Sequence, residues 1–370
     1  MTPPTNRLLR SLGCLPILAA GLLLSGCRDD PPSMPAPTDT WQEAALPGLS
    51  LGSGLTSIAF AGDHGYALGT SVAKAGTDYL LLSRDSAGAW VSTQLAAPPG
   101  SAVLLDLAAG LTGLAVSGYL LQSIDPSLIY DERGEAPTSF THDGFGIAAI
   151  DGDDTLMLAG GTALGGSLWV SSTPGRWTAA STHLSPTNEC GFTDVFVGNG
   201  QALACGFDDA ADTPPLVLRL DQTAGTWSTV PLGESVFNLT LQCVAASTDG
   251  TLMLGGIAGA GGAAPRAFLR QRGADGVWIA LTLPDVSLLG GINDILPAGG
   301  GVWYVVCGGE GGGGLATILR VDGGGITREL TPFFGSLLQL AVDATGDVHA
   351  VGYRLTPGAG LRQALLLKRS

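Results

Sequence analysis

The chain has 370 residues, of which 45% are hydrophobic and 13% are charged, so it can bury a sizeable core and is not a disordered protein. Its 57 glycines and 22 prolines follow no three-residue period, which excludes a collagen-like chain and favours a turn-rich, all-β fold. The formal net charge of −15 leaves no basic field for a phosphate backbone, which argues against nucleic acid as a partner.

The N-terminus has the pattern of an export signal. Arg7 and Arg10 form a short positive region, and the apolar run that follows is too short to span a bilayer comfortably. Residues 24–27 read Leu-Ser-Gly-Cys, which resembles the bacterial lipobox. The resemblance implies that the chain is cleaved before Cys27 and that the Cys27 thiol is lipidated. The alternative is an ordinary signal peptide followed by a chance cysteine.

The proline-rich stretch after Cys27 predicts a flexible or extended tether. Several acyl chains at Cys27 would give durable membrane anchoring, which a single chain does not. Arg28, rather than aspartate, follows the cysteine, and the sorting rule of lipobox proteins then implies the outer membrane of a Gram-negative bacterium. We therefore expect a signal peptide at 1–26, a lipidated cysteine and tether at 27–40, and one folded, monomeric domain at 41–370.

A strand pattern recurs about every 43–53 residues after the tether. Each copy has two apolar strands joined by a Gly- and Asp-rich turn, then a third strand, a polar turn and a fourth strand that opens with an aromatic residue. A four-stranded sheet repeated at this period is typical of a β-propeller blade. The pattern predicts seven blades, with six or eight as alternatives, because second strands end at Gly69, Ser117, Gly160, Gly206, Gly255, Gly308 and Gly352.

The two ends of the repeated region complement each other. The last copy stops at Ser370 after its third strand, and residues 41–47 copy the fourth-strand pattern with no complete copy before them. We therefore predict an all-β, seven-bladed propeller of four-stranded antiparallel blades, in which the N-terminal strand completes the last blade and removes two open edges. The aromatic residues that open the fourth strands, and Trp41, are predicted to pack in the core.

Several segments resemble a known group of propellers. Residues 192–196 (FTDVF) and 292–296 (INDIL), each followed by a turn and a small-residue strand, are similar to repeats of the photosystem assembly factor and sialidase-type (BNR) propellers. Residues 83–90 are similar to the Asp box of those propellers, although Gly88 comes one position late and no threonine precedes Trp90. The Asp box is a structural turn, so the resemblance implies a fold and not an activity.

A sialidase-type active site is the natural enzymatic hypothesis for such a fold. That family uses three arginines, a tyrosine nucleophile with a glutamate partner, and an aspartic acid. The arginines of this chain instead fall at matching strand or turn positions of separate blades, which indicates repeat structure and not one convergent pocket. These residues are Arg84, Arg219, Arg270 and Arg320.

Paired carboxylates offer a second route to chemistry. Residues 151–154 (Asp-Gly-Asp-Asp) and 208–209 (Asp-Asp) could serve acid–base catalysis or hold Ca²⁺, but aspartate and glycine are also expected in turns, and we interpret both pairs as turns. The histidines show no ligand spacing for zinc. We therefore predict no catalytic residues, metal site or cofactor. The four histidines are His64, His142, His183 and His349.

The cysteines outside the signal peptide, other than Cys27, are even in number, which suggests disulfides in an exported protein. Cys190 and Cys205 lie on neighbouring predicted strands and form the preferred pair. Cys205 and Cys307 occupy equivalent sites two blades apart, too far to bond.

Two functions are compatible with this sequence. The first is a non-enzymatic binding or assembly protein of the cell envelope, which uses the loops at one mouth of the ring to hold a protein or glycan. The second is a hydrolase or lyase that acts on an extracellular polysaccharide with carboxylates around the axis. The separation and environment of axial carboxylates would distinguish them.

Overall fold

A computed structural model describes most of the chain after residue 40. The described residues are 41–46, 49, 51–71, 78–85, 87–95, 102–120, 127–142, 147–164, 167–180, 189–208, 215–232, 239–259, 266–273, 275–284, 290–308 and 315–369. The predicted signal peptide, Cys27 and the tether lie outside them. Within these ranges no helix has the length and hydrophobicity needed to cross a membrane.

The described residues form 28 β-strands. In chain order they are β1 (Trp41–Glu43), β2 (Gly54–Ala61), β3 (His64–Ser71), β4 (Asp78–Arg84), β5 (Trp90–Thr93), β6 (Ala102–Gly110), β7 (Gly113–Leu120), β8 (Ser127–Asp131), β9 (Thr138–His142), β10 (Ile147–Gly152), β11 (Met157–Leu164), β12 (Ser167–Thr173), β13 (Arg176–Ala179), β14 (Glu189–Gly198), β15 (Gln201–Asp208), β16 (Leu216–Asp221), β17 (Thr226–Thr229), β18 (Leu239–Ala246), β19 (Leu252–Ala258), β20 (Arg266–Arg272), β21 (Trp278–Ala280), β22 (Gly291–Pro297), β23 (Trp303–Gly308), β24 (Leu315–Asp322), β25 (Gly325–Arg328), β26 (Phe333–Val342), β27 (Val348–Leu355) and β28 (Arg362–Arg369).

Consecutive strands pair antiparallel in repeated groups of four. The β2–β5, β6–β9 and β18–β21 groups are separate four-stranded sheets, and the remaining strands form two eight-stranded sheets in which two such groups are joined by short ladders. β1 pairs with β28 at the far end of the chain, with Trp41 opposite Arg369 and Glu43 opposite Leu367. The predicted pairing of the N-terminal strand with the last strand is therefore present.

A β-bulge interrupts the first strand of each group, and a glycine often lies opposite it on the second strand. On β14 the bulge follows Phe192, whose register partner is Gly206. A Cβ on Gly206 would lie 1.8 Å from the Gly191 carbonyl oxygen. Glycine is thus needed because the bulged strand approaches closely. Bulges follow Leu55, Leu104, Ile147, Phe192, Leu241, Ile292 and Leu337.

Hydrophobic cores lie between neighbouring sheets. One core joins Leu55 and Ile58 of β2 to Val351 and Leu366 of the last sheet, so the first and last sheets pack against each other. This closed series of similar sheets is propeller-like. Most of the predicted aromatic anchors are buried, namely Trp41, Trp90, Trp177 and Trp227, while the less buried Trp278 donates its Nε1–H to the Pro231 carbonyl at 2.9 Å.

A buried ion pair links the β6–β9 sheet to its neighbour. Arg133 Nη2 lies 2.8 Å from Asp131 Oδ2, and both side chains are fully buried. The same carboxylate accepts the indole N–H of Trp177 at 2.9 Å, and Arg133 donates to Ser171 Oγ at 3.0 Å. These additional bonds satisfy both ions, which a buried pair requires if it is to be tolerated.

Candidate functional site

The first strands of the sheets surround an axial cavity of about 280 Å³. Its walls are mostly apolar side chains and backbone, interrupted by five polar groups that belong to five different strands. Among the described residues, no lysine, arginine or histidine lines it. The polar groups at the wall are Asp106 of β6, Asp151 of β10, Asp194 of β14, Asp294 of β22 and Gln339 of β26, with Asp153 at the rim.

The residue after the bulge links neighbouring sheets in most of the repeated groups. In five sheets the side chain of this residue accepts a hydrogen bond from a backbone N–H of the next sheet. The donor is the residue that directly follows the equivalent position in that sheet. Such bonds stabilise the ring because they satisfy amides that face the cavity. The bonds run from Leu107 N to Ser57 Oγ (3.0 Å), Ile150 N to Asp106 Oδ2 (2.9 Å), Val244 N to Asp194 Oδ2 (2.8 Å), Leu340 N to Asp294 Oδ2 (2.6 Å) and Ile58 N to Gln339 Oε1 (2.5 Å).

Two sheets depart from this arrangement. Ala149 takes the position on β10, and Asp151, two residues later, accepts the Val197 N–H at 2.6 Å instead. Cys243 takes it on β18, where its thiol donates to the Ile292 carbonyl at 3.7 Å. The link between sheets is thus kept at β10 by a displaced carboxylate and replaced at β18 by a weaker thiol contact.

The axial carboxyl groups have raised pKa values. Removal from water is the main cause for each, and repulsion from neighbouring carboxylates adds to it at Asp151, Asp194 and Asp294. Burial raises the pKa of Asp151 to about 7, and the same effect raises the pKa of Asp294 to about 7. The pKa of Asp194 is raised well above its ordinary value by burial and by the nearby Asp294 carboxylate. The cavity therefore takes up protons near neutral pH.

The turn interpretation of the first carboxylate pair is correct only in part. Asp153 does form a turn, since its Oδ1 accepts the amides of Thr155 at 2.8 Å and Leu156 at 3.2 Å. Asp151 instead lies within β10, one residue before its end, and lines the axial cavity. In the second pair, Asp208 ends β15 and residue 209 lies outside the described residues.

The segment compared with the Asp box forms a turn at Asp85. Asp85 Oδ1 accepts the backbone N–H of Ala87 at 2.9 Å and of Ala89 at 2.8 Å, which is a local turn. The four arginines lie on the third strands of separate sheets, one each on β4, β16, β20 and β24, and so do not converge.

The histidines that were considered as metal ligands lie on separate strands where the structure describes them. His349 is buried, with Nε2 3.0 Å from Asp343 Oδ2, an oxygen that also pairs with Arg84 at 2.8 Å. Within the described residues, no group of His, Cys, Asp or Glu side chains is arranged to hold a metal ion. His64 opens β3, His142 ends β9, and position 183 lies outside the described residues.

The preferred disulfide is not formed in this structure. Cys205 is a buried free thiol opposite Asp194, whereas the backbone of Cys190 pairs with Asp208, three residues further along β15. The two cysteines therefore lie on neighbouring strands but are not register partners. Cys243 and Cys307 are also buried free thiols.

Sequence reasoning missed Asp106, Asp194 and Asp294 as members of one site. They share a four-residue motif in the first strand of a copy. Its first and fourth residues are apolar, its second residue varies, and its third residue is the polar one at the axis. The pattern is visible when the copies are aligned as LTSI (55–58), LLDL (104–107), FTDV (192–195), INDI (292–295) and LLQL (337–340).

The repeated sheets and axial cavity define the chain as an all-β, propeller-like protein. Its structure is similar to the GH74 xyloglucanase from Xanthomonas campestris, with a TM-score of 0.57 and 16% sequence identity, over 88% of this chain and 55% of the enzyme. The chain thus spans about half the length of that enzyme, and the likeness is one of fold.

A protein of unknown function from Dyadobacter fermentans aligns with 12% identity and a TM-score of 0.49, over 89% of this chain and 99% of that protein. No protein-family model matches the sequence. No curated protein matches it either.

Proposed function

We propose that this chain is a seven-bladed propeller, lipid-anchored through Cys27 to the outer membrane, that binds a glycan of the cell envelope without catalysing a reaction. A protein partner remains the second ligand class of this proposal. The observation that supports a scaffold is the use of the axial carboxylates: Asp106, Asp151, Asp194 and Asp294 each accept a backbone N–H from the next sheet. They are engaged in holding the ring together.

A closed ring of seven accounts for the strand pairings. β1 supplies the fourth strand next to β28, and the core between Leu55 and Val351 supplies the contact between first and last blades. In a closed ring every blade packs against a neighbour on both faces. A linear array would instead leave its two end blades with one exposed face each, which would need polar residues. A rigid ring of this kind presents its connecting loops as a binding surface.

The direction of β1 indicates which mouth would face away from the membrane. Trp41 lies beside Arg369, at the end of β28 that pairs with Val348, so the chain enters at the face of the turns between first and second strands. A tether of residues 27–40 would span at most about 50 Å when fully extended. The opposite mouth would therefore lie further from the membrane.

A glycan is the ligand class to test first, because the fold is shared with a xyloglucanase. The mature domain, residues 41–370, would be applied to an array of neutral and acidic polysaccharide fragments, with capture of envelope proteins as the parallel arm. Binding of a glycan that is recovered uncleaved supports the proposal. Capture of one protein with no glycan binding would favour the second ligand class instead.

The anchor requires its own test. Native full-length protein should partition with membranes after a high-salt wash, and the Cys27→Ser variant should be released into the soluble fraction. Retention of Cys27→Ser on the membrane would refute lipidation at this residue.

A hydrolase is the alternative, favoured by the raised pKa values of about 7 at Asp151 and Asp294 within one cavity. A carboxyl group protonated near neutral pH can act as a general acid while another carboxylate acts as base or nucleophile. Under this alternative, the wild-type protein releases reducing ends from a polysaccharide, and Asp151→Asn or Asp294→Asn lowers the rate at least 100-fold. The absence of product with every substrate on the array would exclude it for those glycans.

A further inference from the structure

A second cavity, of about 450 Å³, lies between the outer parts of the β10–β13 and β14–β17 sheets. Its size falls within the range of small-molecule sites, about 300–1,000 Å³. One wall is β13 and the residues around it, and the other is the turn between β16 and β17. We call this cavity the outer cleft. Its lining is Thr155, Leu156, Val170, Ser172, Thr178, Ala179, Ala180, Leu220, Gln222, Gly225 and Trp227.

The β13 wall of the outer cleft carries short side chains. Side chains alternate between the two faces of a strand, so Thr178 and Ala180 lie on the cleft side together with Val170, the register partner of Thr178. The position of Ala180 is taken by Leu281 after β21 and by Val230 after β17, so the β13 wall is the less bulky one here. Thr178 is exposed, and Leu156, Val170 and Leu220 remain only partly buried in the cleft.

The cleft combines two kinds of surface and carries no formal charge. Its floor is apolar, with Leu156, Val170 and Leu220 against the buried Trp227. Its rim has hydroxyl and carboxamide groups, including the exposed side chains of Ser172 and Gln222. Among the described lining residues there is no Asp, Glu, Lys, Arg or His, although such residues are frequent in the neighbouring turns.

We propose that the outer cleft binds a neutral saccharide of one or two sugar rings, an assignment that rests on the proposed glycan-binding function. A sugar ring offers apolar C–H faces to the floor and hydroxyl groups to the rim, which matches both surfaces at once. An acidic sugar is disfavoured, because no cation of the cleft would pair with it and the chain has a net charge of −15. An apolar peptide side chain would leave the rim groups without partners.

Filling the cleft provides the test. Binding of a neutral gluco-oligosaccharide of two to four units to the domain of residues 41–370 is measured by calorimetry and by ligand-observed NMR, with an oligogalacturonate as the charged counterpart. Thr178→Trp places a large side chain in the cleft from an exposed position, because Thr178 lies on the same side of the sheet as its register partner Val170. Ile279→Trp is the matched control, since Ile279 is the exposed residue directly after Trp278 on β21, as Thr178 is after Trp177, and does not line the cleft.

We expect neutral-oligosaccharide affinity to fall at least tenfold in Thr178→Trp and to be unchanged in Ile279→Trp, with circular dichroism and melting temperature showing both variants to be folded. Equal affinity in both variants would overturn the assignment of the cleft while glycan binding itself stands. Preference of the wild-type domain for the oligogalacturonate would also overturn it, and so would binding of an apolar peptide that is lost in Thr178→Trp. Failure to bind any glycan on the full array would overturn the proposed function as well.

Discussion

At the scale of single residues, the bulged first strands determine which neighbours must be glycine. Gly206 lies opposite Phe192 at the bulge of β14, and no side chain fits between it and the Gly191 carbonyl. The bulge in turn aims the next residue, Asp194, at the axis. One glycine therefore supports one link between neighbouring sheets.

Substitution of Gly206 by alanine should be strongly destabilising. The added Cβ would lie 1.8 Å from a backbone oxygen, so β14 must move, and we expect a loss of about 3 kcal/mol in the free energy of unfolding. Gly225→Ala is the control: its site is open but its φ is +66°, which costs about 1 kcal/mol. Urea denaturation measures both, and equal losses would contradict the close approach at Gly206.

Substitutions at Asp194 can separate the contribution of the hydrogen bond to stability from that of the charge. Asn keeps an oxygen acceptor for the Val244 N–H and removes the charge, as Gln339 already does in the last sheet. We expect Asp194→Asn to be at least as stable as the wild type at pH 8, because it relieves repulsion with Asp294. Asp194→Ala leaves the amide unpaired and should lose about 1–3 kcal/mol. If both variants unfold at the same urea concentration, the hydrogen bond contributes nothing.

At the scale of elements, the pairing of β1 with a strand from the opposite end of the sequence needs a physical explanation. β1 has only three residues, yet Trp41 is buried and its ring meets Tyr304 edge-on at a centroid distance of 5.9 Å. Its backbone pairs with the last residues of β28. The strand is therefore held by one large side chain as well as by the ladder.

Trp41→Ala should destabilise the whole domain and not merely fray its end. Truncating a buried tryptophan costs about 3–5 kcal/mol, and the edge of β28 would lose its cover. Gln42→Ala, at the exposed neighbouring position, should change stability by less than about 0.5 kcal/mol. Thermal unfolding compares the two, and a Trp41→Ala domain that melts with the wild type would show that β1 is dispensable.

The sequence predicts elements better than it predicts the site, for a physical reason. Strands such as β14 and β15 follow from local alternation and turn residues, and the β1–β28 pairing follows from a repeated tryptophan pattern. The role of Asp151 depends instead on a bulge in its own strand and an amide in the next sheet. The residues around Asp151 reveal neither the bulge nor the amide, so the segment Asp-Gly-Asp-Asp was interpreted as a turn.

At the scale of the whole molecule, carboxyl groups fall into two classes with opposite effects on stability. Asp131 and Asp153 have pKa values lowered by hydrogen bonds and by Arg133, against a desolvation effect that alone would raise them. A carboxyl group with a lowered folded pKa stabilises the fold above its unfolded pKa and loses this contribution as the pH falls. These groups therefore make the domain less stable as the pH falls and they take up protons.

The axial groups act in the reverse sense, so the domain should lose stability as the pH rises towards 8. Burial raises the pKa of Asp151 and of Asp294 to about 7, so their contribution is present at acidic pH and lost as the pH rises through 7. We expect the free energy of unfolding to fall by about 2 kcal/mol between pH 5 and pH 8, after allowance for the partial exposure of these groups to the cavity.

The Asp151→Asn and Asp294→Asn variants test this assignment, because each removes one of the charges that develop in the cavity at neutral pH. Urea denaturation at pH 5, 6, 7 and 8 should show a smaller pH dependence in each variant than in the wild type. Asp85→Asn is the control, since Asp85 lies in an exposed turn on a third-to-fourth-strand connection. A wild-type stability that rises from pH 5 to pH 8, or variants that keep its full slope, would mean that the axial carboxyl groups ionise at ordinary pKa values.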